Sequence, residues 1–181
     1  MTKDRYKSLL PYIGIPVIGT VFVLLYAGGE DLFVILLCEL IIIFGYIASV
    51  LDVKTKKIPN SLVLVMLTAW TLVMIPKLFI HTDMAIVLLK DAALGFVVGG
   101  GLFLLVYLVS RKGLGGGDVK FMAASGLYVG FAGTLSAMLY GTILAALVGL
   151  VLLLIKKIGR KDMMPLAPFL YVGIVISLFY R

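Results

Sequence analysis

DLFVILLCELIIIFGYIASVL, residues Asp31 to Leu51, runs without a break into Asp52-Val53-Lys54-Thr55-Lys56-Lys57. An α-helix needs about 20 predominantly apolar residues to cross the hydrocarbon core of a bilayer. The stretch therefore reads as a spanning helix that ends on an acid and a group of lysines. An ionised carboxylate near a helix centre in the bilayer costs on the order of 2.5 to 3.5 kcal/mol, and less toward the ends. An aspartate at such a boundary is accordingly a candidate for chemistry. A second one, Asp118, closes the run Gly113-Leu114-Gly115-Gly116-Gly117-Asp118, where a glycine backbone lets another chain segment come close to the carboxylate.

The rest of the chain repeats the pattern. Of its 181 residues 62% are hydrophobic and 14% charged, with a mean hydropathy of +1.18, far from the composition of soluble domains. Hydropathy places further spans near Leu9 to Ala27, Ser61 to Ile80, Met84 to Val109, Lys120 to Gly130, Thr134 to Ile155 and Pro165 to Tyr180. The expectation is an all-α, polytopic bundle of about seven spans, with a basic segment and uncleaved anchor helix over residues 1–30 and a six-helix membrane domain over 31–181. Gly95 and Gly99, like Gly126 and Gly130, are four apart within apolar segments and are expected to let helices pack closely.

Lys and Arg cluster in alternate loops. Thirteen of the 16 fall at the amino terminus or in the loops after the second, fourth and sixth spans, and only Lys77, Lys90 and Arg181 lie on the other side. The positive-inside rule then makes the amino terminus cytoplasmic and the carboxy terminus external, with Asp52 and Asp118 at the cytoplasmic face. The net charge of +7 is dispersed among loops and forms no stripe of the kind that binds nucleic acid. The basic loops serve orientation, with some lysines holding anionic lipid headgroups. The single cysteine, Cys38, excludes an intrachain disulfide or cysteine zinc cluster and reads as a packing residue.

Asp52 and Asp118 stand 66 residues apart. If packing joins them, they can share one proton, because two charges about 4 Å apart repel by roughly 4 kcal/mol at an effective dielectric of 20. Such a pair suits peptide hydrolysis. The ionised carboxylate takes a proton from attacking water while the protonated one polarises the scissile carbonyl. A coupled pair titrates as a unit, so neither role belongs to one named residue. The alternative is that each acid only pairs with a neighbouring lysine, Lys54 or Lys120.

Asp52 with Ile58-Pro59-Asn60, then Gly115-Gly116-Gly117-Asp118-Val119-Lys120, then Pro165-Leu166-Ala167-Pro168-Phe169-Leu170 resemble, in that order, the three signatures of the type IV prepilin peptidase family, membrane aspartic proteases with a GxGD motif. The resemblance covers roughly Leu37 to Tyr180. It implies a membrane aspartic endopeptidase with Asp52 and Asp118 catalytic. Its substrates would be prepilins or pseudopilins, cut after a glycine that ends a short basic leader, at the cytoplasmic face of a prokaryotic plasma membrane. Pilus or secretion machinery would be an indirect partner. No cofactor and no metal are implied. The chain looks like a peptidase-only member, without the cysteine-rich methyltransferase region of the family's larger bacterial forms. Gly115, Gly116, Gly117, Lys120, Pro59 and Asn60 are the candidate substrate contacts. Glycines of a tight turn would look the same, and Pro59-Asn60 also reads as a helix start.

Glu39 lies 13 residues before Asp52, about 20 Å along one straight helix, too far to join the pair. It is expected to face the bundle interior, neutral and hydrogen-bonded. His81, the only histidine, reads as a solvated residue of an outer loop. Three rivals stand beside the protease. A cation or proton transporter would use Glu39, Asp52 and Asp118, but needs an acid path to Asp83 and Asp91 in the outer half. A magnesium-dependent lipid headgroup transferase needs several carboxylates, where the cytoplasmic side offers Asp52, Asp118, Asp162 and Asp4. A presenilin-like protease would carry tyrosine, not Leu51, before the first aspartate.

Overall fold

The computed structural model describes residues 17–29, 31–110, 113–157, 159 and 164–179. The expected start of the first span at Leu9, and the basic residues Lys3, Arg5, Lys7, Arg111, Lys112, Arg160, Lys161 and Arg181, lie outside them. The described residues form helices and turns with no strand. In chain order the helices are α1 (Val17–Ala27), α2 (Leu32–Thr55), α3 (Asn60–Ile80), α4 (Thr82–Val109), α5 (Gly116–Leu154) and α6 (Ala167–Leu178). The middle four are each long and apolar enough to cross a membrane. Large apolar side chains such as Phe79, Leu64, Val97 and Leu105 cover the outside, as a bilayer solvent requires. The chain is a polytopic helical membrane protein.

Local chemistry sets the helix ends. Asp31 caps α2, accepting the N–H of Phe33 at 3.4 Å. α2 runs past the expected Leu51 to Thr55 and closes on Lys56, whose left-handed backbone sends its N–H to the Asp52 carbonyl at 2.7 Å. A single residue, the exposed His81, turns α3 into α4. The expected fifth and sixth spans are the two arms of α5, which meet at Gly130, whose backbone is not helical (φ 70°, ψ −172°). Asp91 of α4 accounts for the short junction. Its carboxylate accepts the N–H of Phe131 at 3.0 Å, capping the second arm so that no loop is needed.

Of the glycines singled out from the sequence, Gly95 faces both Gly126 and Gly130, and Gly99 packs against the Met122 carbonyl. A Cβ on Gly95 would collide with the carbonyls of Gly126 and Gly130, and one on Gly126 with the backbone of Gly95 and Phe96. They let α4 and α5 touch backbone to backbone. Gly141 and Gly173 do the same for α5 and α6. Around this seam Ile41, Ile42, Met66, Phe121, Met122, Leu170 and Ile174 are fully buried. Tyr128, also buried, donates its hydroxyl to the Met66 carbonyl at 2.5 Å and ties α5 to α3.

Candidate active site

Asp52 lies on the last turn of α2 and Asp118 on the first turn of α5. Both are buried, 5% and 8% exposed. They line one cavity of about 200 Å³ together with Lys56, Lys57, Ile58, Gly115, Gly116 and Gly117. The charge on Asp52 bears directly on Asp118.

The two carboxylates have different supports. Asp52 stands at the C-terminal end of α2, where the helix dipole disfavours an anion, and a second helix end compensates. Its Oδ2 accepts the backbone N–H of Ala167, at the start of α6, at 3.0 Å. One turn earlier, Ser49 Oγ donates to the Gly45 carbonyl at 2.7 Å and lies 3.2 Å from the Ala167 carbonyl, so both polar groups of Ala167 meet α2. Asp118 sits at a helix N-terminus, the favourable end for an anion. Its Oδ1 is buried with no hydrogen-bond partner among the described residues.

The glycine run earns its place sterically. A Cβ on Gly115 would come within 2.8 Å of Asp118 Oδ2, and one on Gly117 would press on Ile58 at 3.1 to 3.3 Å. Gly116 has room, its nearest neighbour being Tyr107 Cε2 at 4.0 Å. Lys120 and Asn60 are paired to each other, Nζ to Oδ1 at 2.9 Å, bracing α5 against α3. Pro59 is the N-cap position of α3. These three stand outside the residues that line the cavity.

Sequence reasoning missed Lys56 and Lys57 as cavity residues, taking them only as orientation signals, although their nearness to Asp52 was visible. It also missed Ala167 as a support for Asp52. A backbone N–H leaves no side-chain signal. Glu39 is half-buried as expected on an interior span, but its Oε1 has no partner among the described residues, in contrast to the hydrogen-bonded state expected. Asp91 is engaged at the Gly130 kink and lines a separate cavity of about 110 Å³ with Ser136 and Ser177.

The family model described as the type IV leader peptidase family matches residues 39–153, a segment that holds both aspartates. The chain belongs to the type IV leader peptidase family. Relatives of this leader peptidase family member include the prepilin leader peptidase/N-methyltransferase of Legionella pneumophila, 30% identical over 158 residues, covering 86% of this chain and 54% of the relative. The proteins of the same name from Bacillus subtilis (27% identical; 74% of this chain, 51% of the relative) and Escherichia coli K12 (31%; 73% and 57%) are similar to it as well. The chain spans about half the length of the curated relatives it matches. No solved structure matches it. α6, which supports Asp52, lies beyond the segment matched by the leader peptidase model.

Proposed function

We propose that this leader peptidase family member is a membrane aspartic endopeptidase that removes the short basic leader of prepilin-like or pseudopilin-like substrates after a glycine. The observation that carries this is the meeting of Asp52 and Asp118, from two different helix ends, in the wall of one small cavity. The names of the relatives support prepilins as the substrate class. The alternation of basic loops supports a site at the cytoplasmic face of the plasma membrane, with the amino terminus cytoplasmic.

In this mechanism one carboxylate is ionised and the other protonated. The ionised one removes a proton from water as the water oxygen bonds to the scissile carbonyl carbon, and the protonated one gives its proton to the carbonyl oxygen. The tetrahedral intermediate then collapses: the C–N bond breaks, the proton held by the first carboxylate passes to the leaving amine, and a hydroxyl proton of the gem-diol returns to the second carboxylate as the new carboxyl group forms. A peptide acid and a free amine result, and the pair returns to its starting state with one proton. Gly115 and Gly117 let Asp118 and Ile58 pack closely against the glycine run that lines the cavity. A transport role draws no comparable support, because Glu39 and Asp91 are not among the residues lining the cavity of the pair.

The test is cleavage of a prepilin-like peptide in liposomes by the wild type, Asp52→Asn and Asp118→Asn, with folding followed by thermal unfolding. Processing by the wild type that vanishes in both folded variants is expected. Near-normal cleavage by either variant overturns the assignment.

A further inference from the structure

Two residues other than glycine have a left-handed backbone among the described residues, Lys56 (φ 53°) and Lys156 (φ 56°). Glycine is the usual residue just past a helix C-terminus because a Cβ makes that conformation costly. A lysine kept there is an outlier from which a role for the side chain can be inferred. The two differ in place. Lys56 lines the cavity of Asp52 and Asp118, with Lys57 beside it, and Lys156, at the end of α5, does not.

The segment holding Lys56 is pinned on both sides. The Lys56 N–H is bonded to the Asp52 carbonyl at 2.7 Å. Thr55 Oγ1 donates to the Leu51 carbonyl at 2.8 Å and lies 3.0 Å from the Lys57 carbonyl. Ile58, the next residue, is buried against Gly117. Among the described residues neither lysine forms an ion pair with Asp52 or Asp118. The backbone of Lys56 is thus held in the wall of the cleft, and both lysine side chains are exposed there with no ion pair among the described residues. Since they share that wall with the aspartates, what they meet is the peptide that reaches the acids.

Resting on the peptidase function above, we propose that Lys56 is a specificity-determining residue whose ammonium pairs with a carboxylate of the substrate close to the scissile bond. Pairing of this kind selects among substrates by charge and disfavours a cation at the same position. Lys57 adds to the same field.

The experiment uses the full chain in phosphatidylcholine vesicles and prepilin-like peptides that differ only in carrying Glu, Gln or Lys at each position flanking the scissile bond. At one position the wild type should favour Glu over Gln in kcat/KM, by roughly five-fold for a partly solvated ion pair. Lys56→Gly should abolish that preference while its thermal midpoint stays the same or rises, and Lys56→Glu should transfer the preference to the Lys peptide. Lys156→Gly, which relieves the same backbone strain away from the cleft, should keep the wild-type preference. Absence of any charge preference in a wild type that cleaves, or a preference that survives both Lys56 variants, overturns the proposal. So does a rate increase on adding phosphatidylglycerol that depends on Lys56 without any peptide preference, which assigns the lysine to a lipid phosphate. A wild type that cleaves none of the peptides removes the peptidase function itself.

Discussion

Asp52 Oδ2 accepts the backbone N–H of Ala167 at 3.0 Å, joining residues 115 positions apart. The contact locks the end of α2 to the start of α6 and fixes one of the two carboxylates of the cavity. Asp52→Asn keeps an oxygen acceptor for that N–H, whereas Asp52→Ala leaves it buried and unpaired. The Ala variant should be less stable than the Asn variant by about 1–3 kcal/mol, the cost of an orphaned buried donor. Neither should cleave. Denaturation in detergent, compared between the two variants, checks the difference, and equal stabilities would show that the tether contributes nothing to the fold.

The glycines before Asp118 should respond in a graded way to a single methyl group. Gly116→Ala meets only the edge of Tyr107 at 4.0 Å and should leave stability and cleavage near wild type. Gly117→Ala presses on the backbone of Ile58 at 3.2 and 3.3 Å and should cost about 1–3 kcal/mol, as overpacking does. Gly115→Ala meets the carboxylate of Asp118 at 2.8 Å, so its loss should fall on kcat more than on stability. Thermal unfolding and initial cleavage rates, read together on the three variants, test the order.

Gly130 combines a positive φ of 70° with the carboxylate of Asp91 lying where a Cβ would be. Gly130→Ala should therefore destabilise on the order of 3 kcal/mol, through backbone strain and overlap together. Asp91→Ala removes the cap on the Phe131 N–H and should cost about 1 kcal/mol. Because the second change also vacates space beside Gly130, the two should be less than additive when combined. A double-mutant cycle in thermal or denaturant unfolding measures this, and strict additivity would separate the kink from its cap.

Asp31 should give the fold a small acid sensitivity outside the bilayer. Its Oδ2 lies 2.7 Å from Lys77 Nζ. This hydrogen bond first, and then that of the Phe33 N–H, hold the carboxyl below its ordinary value of 3.8. The folded pKa is thus lower than the unfolded one. The stabilisation is fully present above the unfolded value and disappears as pH falls through the folded one. The difference in melting temperature between wild type and Asp31→Asn should be constant near neutral pH and close to zero in strong acid. As an exposed pair, it should also shrink with added salt. A difference that persists unchanged into acid would mean the carboxylate charge is not its source.

Much of this architecture was legible in the order of residues because a bilayer is a demanding solvent. Every spanning backbone group must be bonded within its own helix, so apolar runs such as Asp31 to Leu51 and Ser61 to Ile80 announce helices, with ends accurate to a few residues. The spacing of Gly95 with Gly99 and of Gly126 with Gly130 likewise pointed to close packing. It did not say that Gly95 meets both Gly126 and Gly130. Apolar composition also could not show that the two arms of α5 meet at Gly130 without a loop, because that junction depends on a carboxylate from α4.

By itself the sequence determined that the chain is helical and membrane-embedded, that Asp52 and Asp118 lie at the ends of spans, and that a glycine run precedes the second of them. These follow from solvation and backbone freedom, which act residue by residue. Only the tertiary structure decided that Lys56 and Lys57 share the cavity with both acids, that Lys120 spends its charge on Asn60, and that Ala167 holds Asp52 through its backbone. Contacts of this kind depend on how whole helices cross. That is set by packing over the entire bundle, and it leaves no mark on the identity of a residue that contributes only its N–H.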